Sequence, residues 1–465
     1  MLRFFCLILP LFVSVRAVKA QSPWAYIITL AGNGNPGNQN DPCTNQTSQV
    51  NNPFGIALSA NGSRLYFADQ GNHQIRFMDN PWSGSCQLGW LAGDSVPGFL
   101  DTIATHARFN GPTNVCVDTL GNVYVSDFNN HRIRKISVGG WVTTLAGSGI
   151  AGYQDGSGDS ARFCFPRGLA VDDSGNVYVS DSWNHRIRKI SPSGMVTTLA
   201  GGGSITGVGS SGTWRDGPDT TARFYTPAGL FYLRTSACLL VADAYNHRIR
   251  RIELNGRVTT LMGSGASGPS FGGYSDGPDT LAKLNTPTEL TAAWLSEFSD
   301  TIVFVSDSYN HGIRGMGMTQ KMVFTEAGVA GAGFAEGNRP GQFNFPRGIV
   351  ILPEGSASYS IVIADFANHR IRGIQDIWSN TEPLHNLQSG FIFPNPNSGV
   401  LYFRELMQSI TLMDATGRIS VQMTEEAGIE QLNISTLPKG LYLIQGMTTF
   451  GAQVYARLLL QTDTQ

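Results

Sequence analysis

The chain has 465 residues, of which 14% are charged, with a formal net charge of −2 and a pI near 6.4. That length accommodates two or three domains with buried cores. The near-neutral balance carries no electrostatic footprint for nucleic acid or for an anionic membrane surface, and 55 glycines point to many tight turns between short strands.

In chain order, residues 1–20 have the pattern of an export signal. Arg3 supplies the positive start, "FFCLILPLFVSV" the apolar core and "VKA", ending at Ala20, the small-residue cleavage pattern. The apolar run is too short to span a bilayer, and no later segment is apolar enough to do so, so no transmembrane segment is expected. Cleavage leaves Cys43, Cys86, Cys116, Cys164 and Cys238, an odd and irregularly spaced set that is no disulfide framework. Cys116, in "NVCVD", reads as a buried strand residue. Cys43 with Cys86 is the one pair worth testing, although the topology below places them at opposite ends of the fold.

A stretch of eight residues then recurs six times. The copies are "DQGNHQIR", "DFNNHRIR", "DSWNHRIR", "DAYNHRIR", "DSYNHGIR" and "DFANHRIR", starting at Asp69, Asp127, Asp181, Asp243, Asp307 and Asp365, at spacings of 58, 54, 62, 64 and 58 residues. Repeats of that length indicate a propeller or an array. Each unit reads as "PRGLAVD", a Gly-Asn turn, "VYVSD", "NHRIRKI" and "VTTLAG". These are four short runs rich in Val, Ile, Tyr and Thr, separated by Gly, Asn, Asp or Pro, hence four strands counted outward from a centre. Helical periodicity is absent. The outermost-type strand first appears at "YIITLAG", residues 26–32, ahead of any innermost strand, and none follows the sixth "HRIRGIQDI". The expected fold is therefore all-β, a six-bladed propeller closed by its N-terminal strand, which removes an exposed sheet edge.

The "D-x-x-N-H-R-I-R" and "P-x-G-[LIV]" units resemble NHL repeats, six in series over residues 24–377. His73, His131, His185, His247, His311 and His369 suggest a metal ring, but geometry opposes it. They begin the third strand, roughly 10 Å or more from the axis, whereas zinc needs its nitrogens at about 2 Å. The repeated Asp and His residues are read as structural. The Asp accepts amide hydrogen bonds, Asn occupies the special dihedrals of the turn, and His and Arg bond along the seams between blades.

Function is expected where the repeats differ. The long connections into each innermost strand carry "YQDGSGDSARF", "WRDGPDTTARF" and "YSDGPDTLAKL", whose Asp-Gly is read as turn chemistry rather than as a calcium loop. Reading round the ring, the residue after the Pro that begins each innermost strand is Phe54, Thr113, Arg167, Ala228, Thr288 and Arg347, and these should frame the channel mouth. Peptidylglycine amidating lyases, which resemble this fold, place zinc-binding histidines at such positions, and none is His here. Calcium-dependent lactonases of similar shape use acids and Asn near the axis, where only Asn114 and Glu289 come close. Arg167 and Arg347, three blades apart, face each other and suit a carboxylate, a phosphate or an acidic glycan; alternatively both pair with loop acids such as Asp155 or Glu336. Tyr153, Trp214, Phe271 and Tyr274 either add stacking surface for sugars or peptides or pack within their loops. The ligand-binding candidates are thus Arg167, Arg347, Phe54, Thr113 and Thr288, with no catalytic residue, metal or cofactor assigned.

After Ile377 the repeat pattern stops. A polar linker, residues 378–390, leads to "FIFPNPNSGVLYF" and apolar runs separated by turns, which read as a small Ig-like antiparallel β-sandwich. "PNPNSG", "DATGR" and "LPKGLYLI" resemble the C-terminal (Por-type) sorting domain of the type IX secretion system of Bacteroidetes-type bacteria, over residues 391–465. The resemblance implies the outer-membrane secretion machinery as a partner and a propeller released or held at the cell surface. The polar end "QTDTQ" lacks the lysines often found there, and an ordinary carbohydrate- or protein-binding sandwich is the competing reading. The chain then divides into a signal peptide (1–20), a propeller (21–377), a linker (378–390) and a sorting domain (391–465). The expected function is a secreted or cell-surface scaffold for a protein, peptide or glycan. The alternative is an extracellular lyase or hydrolase at the channel mouth, which needs a metal or a nucleophile-base pair that the sequence does not assemble.

Overall fold

A computed structural model describes residues 25–376, except 42–46, 82–85, 203–211, 296–299, 330, 339 and 354–358, together with strands between 392 and 460. The expected signal segment and linker lie outside the described residues. The chain forms two compact units, one running from Trp24 to Asn380 and the other containing Thr381–Gln465.

The first unit is built of repeated four-stranded antiparallel sheets. Ala25–Ala31 (β1) stands alone at the start, and the first blade follows as Pro53–Leu58 (β2), Arg64–Asp69 (β3), Gln74–Asp79 (β4) and Gln87–Ala92 (β5), paired in that order. Five further blades start at Pro112, Pro166, Pro227, Pro287 and Pro346. The sixth has three consecutive strands and takes β1 as its fourth: Ala25 lies opposite Asp376, Ile27 opposite Ile374 and Ala31 opposite Ile371. No blade buries a face by itself, because each sheet packs against the sheets on either side. Second strands such as Val123–Asp127 and Val177–Asp181 are accordingly buried along their whole length.

The core consists of apolar clusters at the blade seams, one for each of the six. Phe67 and Met78 of blade one meet Val362 and Ile371 of blade six, along with Leu30 of β1 and Val50. Tyr66 and Ile75 meet Val115 and Val123 of blade two on the other side. The remaining seams repeat this arrangement, for example Tyr178 and Ile187 against Leu230 and Val241. The seam between blades six and one is built like the others, so the ring has no weak joint in its apolar packing.

In the second unit all pairings are antiparallel, and five strands join in one sheet. Val400–Asp414 lies beside Ile392–Asn395 over its first half and beside Gly440–Thr448 over its second, while Ile419–Asn433 accompanies both halves with register shifts. Among the described residues these strands form one hydrogen-bonded sheet, in which the longest strand changes partner along its length.

Ile27 is fully buried in the seam with Ile374 and Phe343. Ile27→Ala should destabilise the propeller by about 2–5 kcal/mol, the usual range for truncating a buried aliphatic side chain, and a melting temperature equal to that of the unaltered protein would show that blade six does not depend on β1.

Candidate functional site at the propeller channel

Between second and third strands every blade makes the same turn. A three-residue 3₁₀ segment follows the Asp, and the His after it adopts the left-handed conformation, with φ between 50° and 56° in all six copies. The special dihedrals thus belong to the His, whereas the Asn lies in the 3₁₀ turn and donates through Nδ2 to the Asp. The imidazole reaches the next blade. His73 Nδ1 accepts from the Gly111 amide at 3.0 Å, and His131, His185, His247 and His311 accept from Phe165, Thr226, Thr286 and Phe345 at 3.1–3.2 Å. The ring closes when His369 accepts from Asn52 at 3.1 Å. Each donor immediately precedes the Pro of an innermost strand and has a positive φ itself, near 52° even for Thr226 and Thr286. A β-branched residue there is strained by about 1–3 kcal/mol, and the imidazole contact helps to hold it.

The Asp and the last Arg of each repeat form the second fixed element. Asp181 accepts the Cys164 amide at 2.8 Å on Oδ1 and both Asn184 Nδ2 and Arg188 Nη1 on Oδ2. Arg76, Arg134, Arg188, Arg250, Arg314 and Arg372 have no exposed side-chain surface, and each contacts its repeat Asp at 2.6–3.0 Å. A second acid from the connecting loop meets four of these guanidiniums: Asp101, Asp155, Asp216 and Asp276. The Asp-Gly of the loops is therefore a guanidinium partner as well as a turn. This corrects the pairing considered for Arg167, because Asp155 is engaged by Arg188, and Glu336 acts through its charge on Arg370 and Arg372. The loop aromatics are engaged too. Tyr153 lies 4.3 Å from Arg186, Trp214 4.1 Å from Arg248 and Tyr274 4.7 Å from Arg314, measured from guanidinium to ring centre. They stack on their own blades rather than forming a shared ligand platform; Phe271 alone of the four proposed has no such partner among the described residues and is 59% exposed.

At the axis the mouth residues separate into two groups. Thr113 and Thr288 turn to the seams: Thr113 Oγ1 donates to the Arg167 carbonyl at 3.4 Å and Thr288 Oγ1 bonds Ser308 and the Pro346 carbonyl. Both hydroxyls, expected to be ligand contacts, are thus engaged within the protein. Ala228 is buried. Arg167, Arg347 and Phe54 do come together, with the Phe54 ring 5.8 Å from one guanidinium and 5.3 Å from the other. Phe128 flanks Arg167 at 5.7 Å and Phe366 flanks Arg347 at 5.3 Å. Among the described residues neither guanidinium has an ion-pair or hydrogen-bond partner, and each Nε is buried and unsatisfied. Burial, with the Arg167 charge adding to it, pushes Arg347 down to about 10, so both still carry full charge at neutral pH.

One residue further along the innermost strands lies the constriction. The six positions are Gly55, Asn114, Gly168, Gly229, Glu289 and Gly348, and the two side chains meet across the channel, Asn114 Nδ2 donating to Glu289 Oε1 at 2.9 Å and Oε2 at 3.1 Å. The neighbouring glycines make room for them, since a Cβ on Gly229 would lie 2.2 Å from Glu289 Oε1 and one on Gly55 2.7 Å from Asn114 Cα. Burial pushes the Glu289 carboxyl up to about 8, against the Asn114 hydrogen bond and the Arg167 charge. Beyond the constriction, toward the hairpins that end the innermost strands, a chamber of about 530 Å³ opens. Sequence reading named Asn114 and Glu289 without joining them; the signal was that they replace glycine in opposite blades.

Cys116, Cys164 and Cys238 are free and buried, whereas Cys86 is disulfide-bonded. Cys43, the one candidate partner that the sequence offered for it, lies outside the described residues.

The NHL repeat model matches residues 109–136 and 163–190, the inner strands and turns of blades two and three. The secretion system C-terminal sorting domain model matches residues 391–459. The chain is an NHL-repeat propeller with a C-terminal sorting domain. It is exported, to the cell surface or beyond it. This NHL propeller is 30% identical over 351 residues to human NHL repeat-containing protein 2, covering 69% of this chain and 46% of that protein. It is 29% identical over 349 residues to the Arabidopsis thaliana protein SUPPRESSOR OF QUENCHING 1, chloroplastic, covering 72% and 31%. The chain thus spans less than half the length of either relative. The fold is shared with an auxiliary nutrient binding protein of Bacteroides ovatus (TM-score 0.55, 17% identity, 75% of this chain and 76% of that one). It is shared as well with a protein of unknown function from Bacteroides thetaiotaomicron (TM-score 0.53, 18% identity, 76% of each).

His247 uses both ring nitrogens, accepting from Thr286 and bonding the Gly268 carbonyl at 2.7 Å, so the neutral ring must carry its proton on Nε2. Burial lowers its pKa below the ordinary 6.5. Below pH 6.5 the unfolded chain therefore takes up the proton first, and the stability contributed by this residue is lost as pH falls toward the depressed native value. His247→Ala should cost about 1–3 kcal/mol at pH 7, and its deficit in melting temperature should shrink between pH 7 and pH 5; a deficit independent of pH would assign the cost to packing instead.

Proposed function

We propose that the exported propeller is a binding scaffold whose ligand, a glycan or peptide, presents an anionic group to Arg167 and Arg347 at the channel mouth. The observation that supports this is the pair of cations walled by Phe54, Phe128 and Phe366 with no carboxylate partner among the described residues. The six arginines that end the repeat each have an acid in contact, whereas among the described residues no acid forms an ion pair with the two at the mouth. Two guanidiniums facing one point offer forked donors to a carboxylate, phosphate or uronic acid, and the aromatic walls reduce competition from water. The name of the Bacteroides ovatus neighbour, an auxiliary nutrient binding protein, is consistent with a binding role; at 17% identity it supports the fold and not the ligand.

The test is calorimetric titration of the full chain with oligouronates, phosphorylated sugars and acidic peptides. One of these classes should bind, and Arg167→Ala or Arg347→Ala should weaken it by about 10- to 100-fold, the worth of a charge-assisted hydrogen bond. Rising salt should weaken the unaltered protein more than the Arg167→Ala variant. Affinities that are the same in all three proteins would refute an anion site at the mouth.

A further inference from the structure

The chamber behind the constriction takes no part in the mouth site. It begins at Asn114 and Glu289 and runs to Ala60, Thr119 and Thr235, at the turns that end the innermost strands, so it opens on the face opposite the arginines. Its 530 Å³ lies within the roughly 300–1,000 Å³ typical of small-molecule sites. The wall is largely aliphatic, with Leu58, Val117, Val171, Leu230 and Ile351 among the lining residues. The other charged groups on the lining are already engaged: Asp118 by Asn122, Tyr124 and the Leu120 amide, and Arg234 by Asp173 at 2.7 Å. At the closed end two polar groups are left to meet a guest. Glu289 is 5% exposed and accepts from Asn114 alone among the described residues, while Asn114 Oδ1 has no donor among them.

We propose that this chamber binds an uncharged, largely apolar small molecule carrying one hydrogen-bonding head, an alcohol or a primary amide, seated against Glu289 and Asn114. The walls decide against charge. Either charged head would have to be desolvated among aliphatic side chains, and a cation would also meet the field of Arg167 behind Glu289. A protonated carboxyl both donates and accepts, which matches the paired functions of an amide, and Asn114 Oδ1 offers a further acceptor. The titratable groups facing Glu289 are Arg167 and the Cys116 thiol, which burial pushes up, so neither changes charge between pH 6 and pH 9. Glu289, at about 8, does.

The experiment titrates the full chain with octanamide and 1-octanol and, as matched charged probes, octylamine and octanoate. The neutral probes should bind saturably and the charged ones at least about tenfold more weakly. Octanamide affinity should fall by up to about tenfold per pH unit above pH 8, and this dependence should vanish in Glu289→Gln with binding retained. Ala57→Trp, which places a large ring in the chamber, should abolish binding. Failure of every probe to bind, equal affinity for octylamine, or a pH profile unchanged by Glu289→Gln would overturn the proposal. The neutral probes carry no charge for Arg167 and Arg347, so a negative result here leaves the mouth reading untouched.

Discussion

Six guanidiniums with no exposed side-chain surface impose the order on which this wheel depends. A buried cation is tolerated only when its charge and its N–H groups are met inside the protein. Arg188 shows what that entails: Asp181 from its own blade, Asp155 from the incoming loop and the carbonyls of Gln154 and Arg162. These groups come from separate stretches of chain, and all must be in place together. The pair thus specifies the path of the connecting loop as well as the turn, and the loop in turn delivers the strained residue before Pro to the imidazole of the preceding blade.

The wheel was legible because its six copies agree, and repetition separates what every blade needs from what one blade does. The histidines were readable as seam groups from their radius alone. Their left-handed backbone was not, since Asn is the usual candidate for that conformation and here the 3₁₀ turn uses Asn as a donor to Asp. Nor could the loop acids be assigned, because pairing Asp155 with Arg188 rather than Arg167 requires knowing which guanidinium points outward along the blade. Thr113 and Thr288 stood in the right register but turn sideways to the seam, a matter of rotamer that register does not reveal. In the C-terminal unit alternation gave the strands, whereas the partner change along Val400–Asp414 depends on where a long strand bends.

Departures from sixfold repetition gather on the axis. Two opposite blades place Arg at the mouth, and another opposite pair places Asn114 and Glu289 where four blades have glycine. The result is a channel with a cationic upper opening, a hydrogen-bonded partition and an aliphatic lower chamber. The partition separates two environments of contrasting polarity within a few residues of strand. The rest of the wheel supplies rigidity: blade packing fixes the spacing of these groups, so their chemistry depends little on loop position.

The contact between Asn52 and His369 joins residues 317 positions apart, and β1 lies idle until Arg370–Asp376 exists to receive it. Sealing the circle is consequently a late, long-range event that needs almost the whole repeat region. For an exported chain this means that a polypeptide interrupted before its last repeat keeps an unmated ribbon at each end. Such a product would be open to sticking or proteolysis, whereas the finished circle offers neither vulnerability.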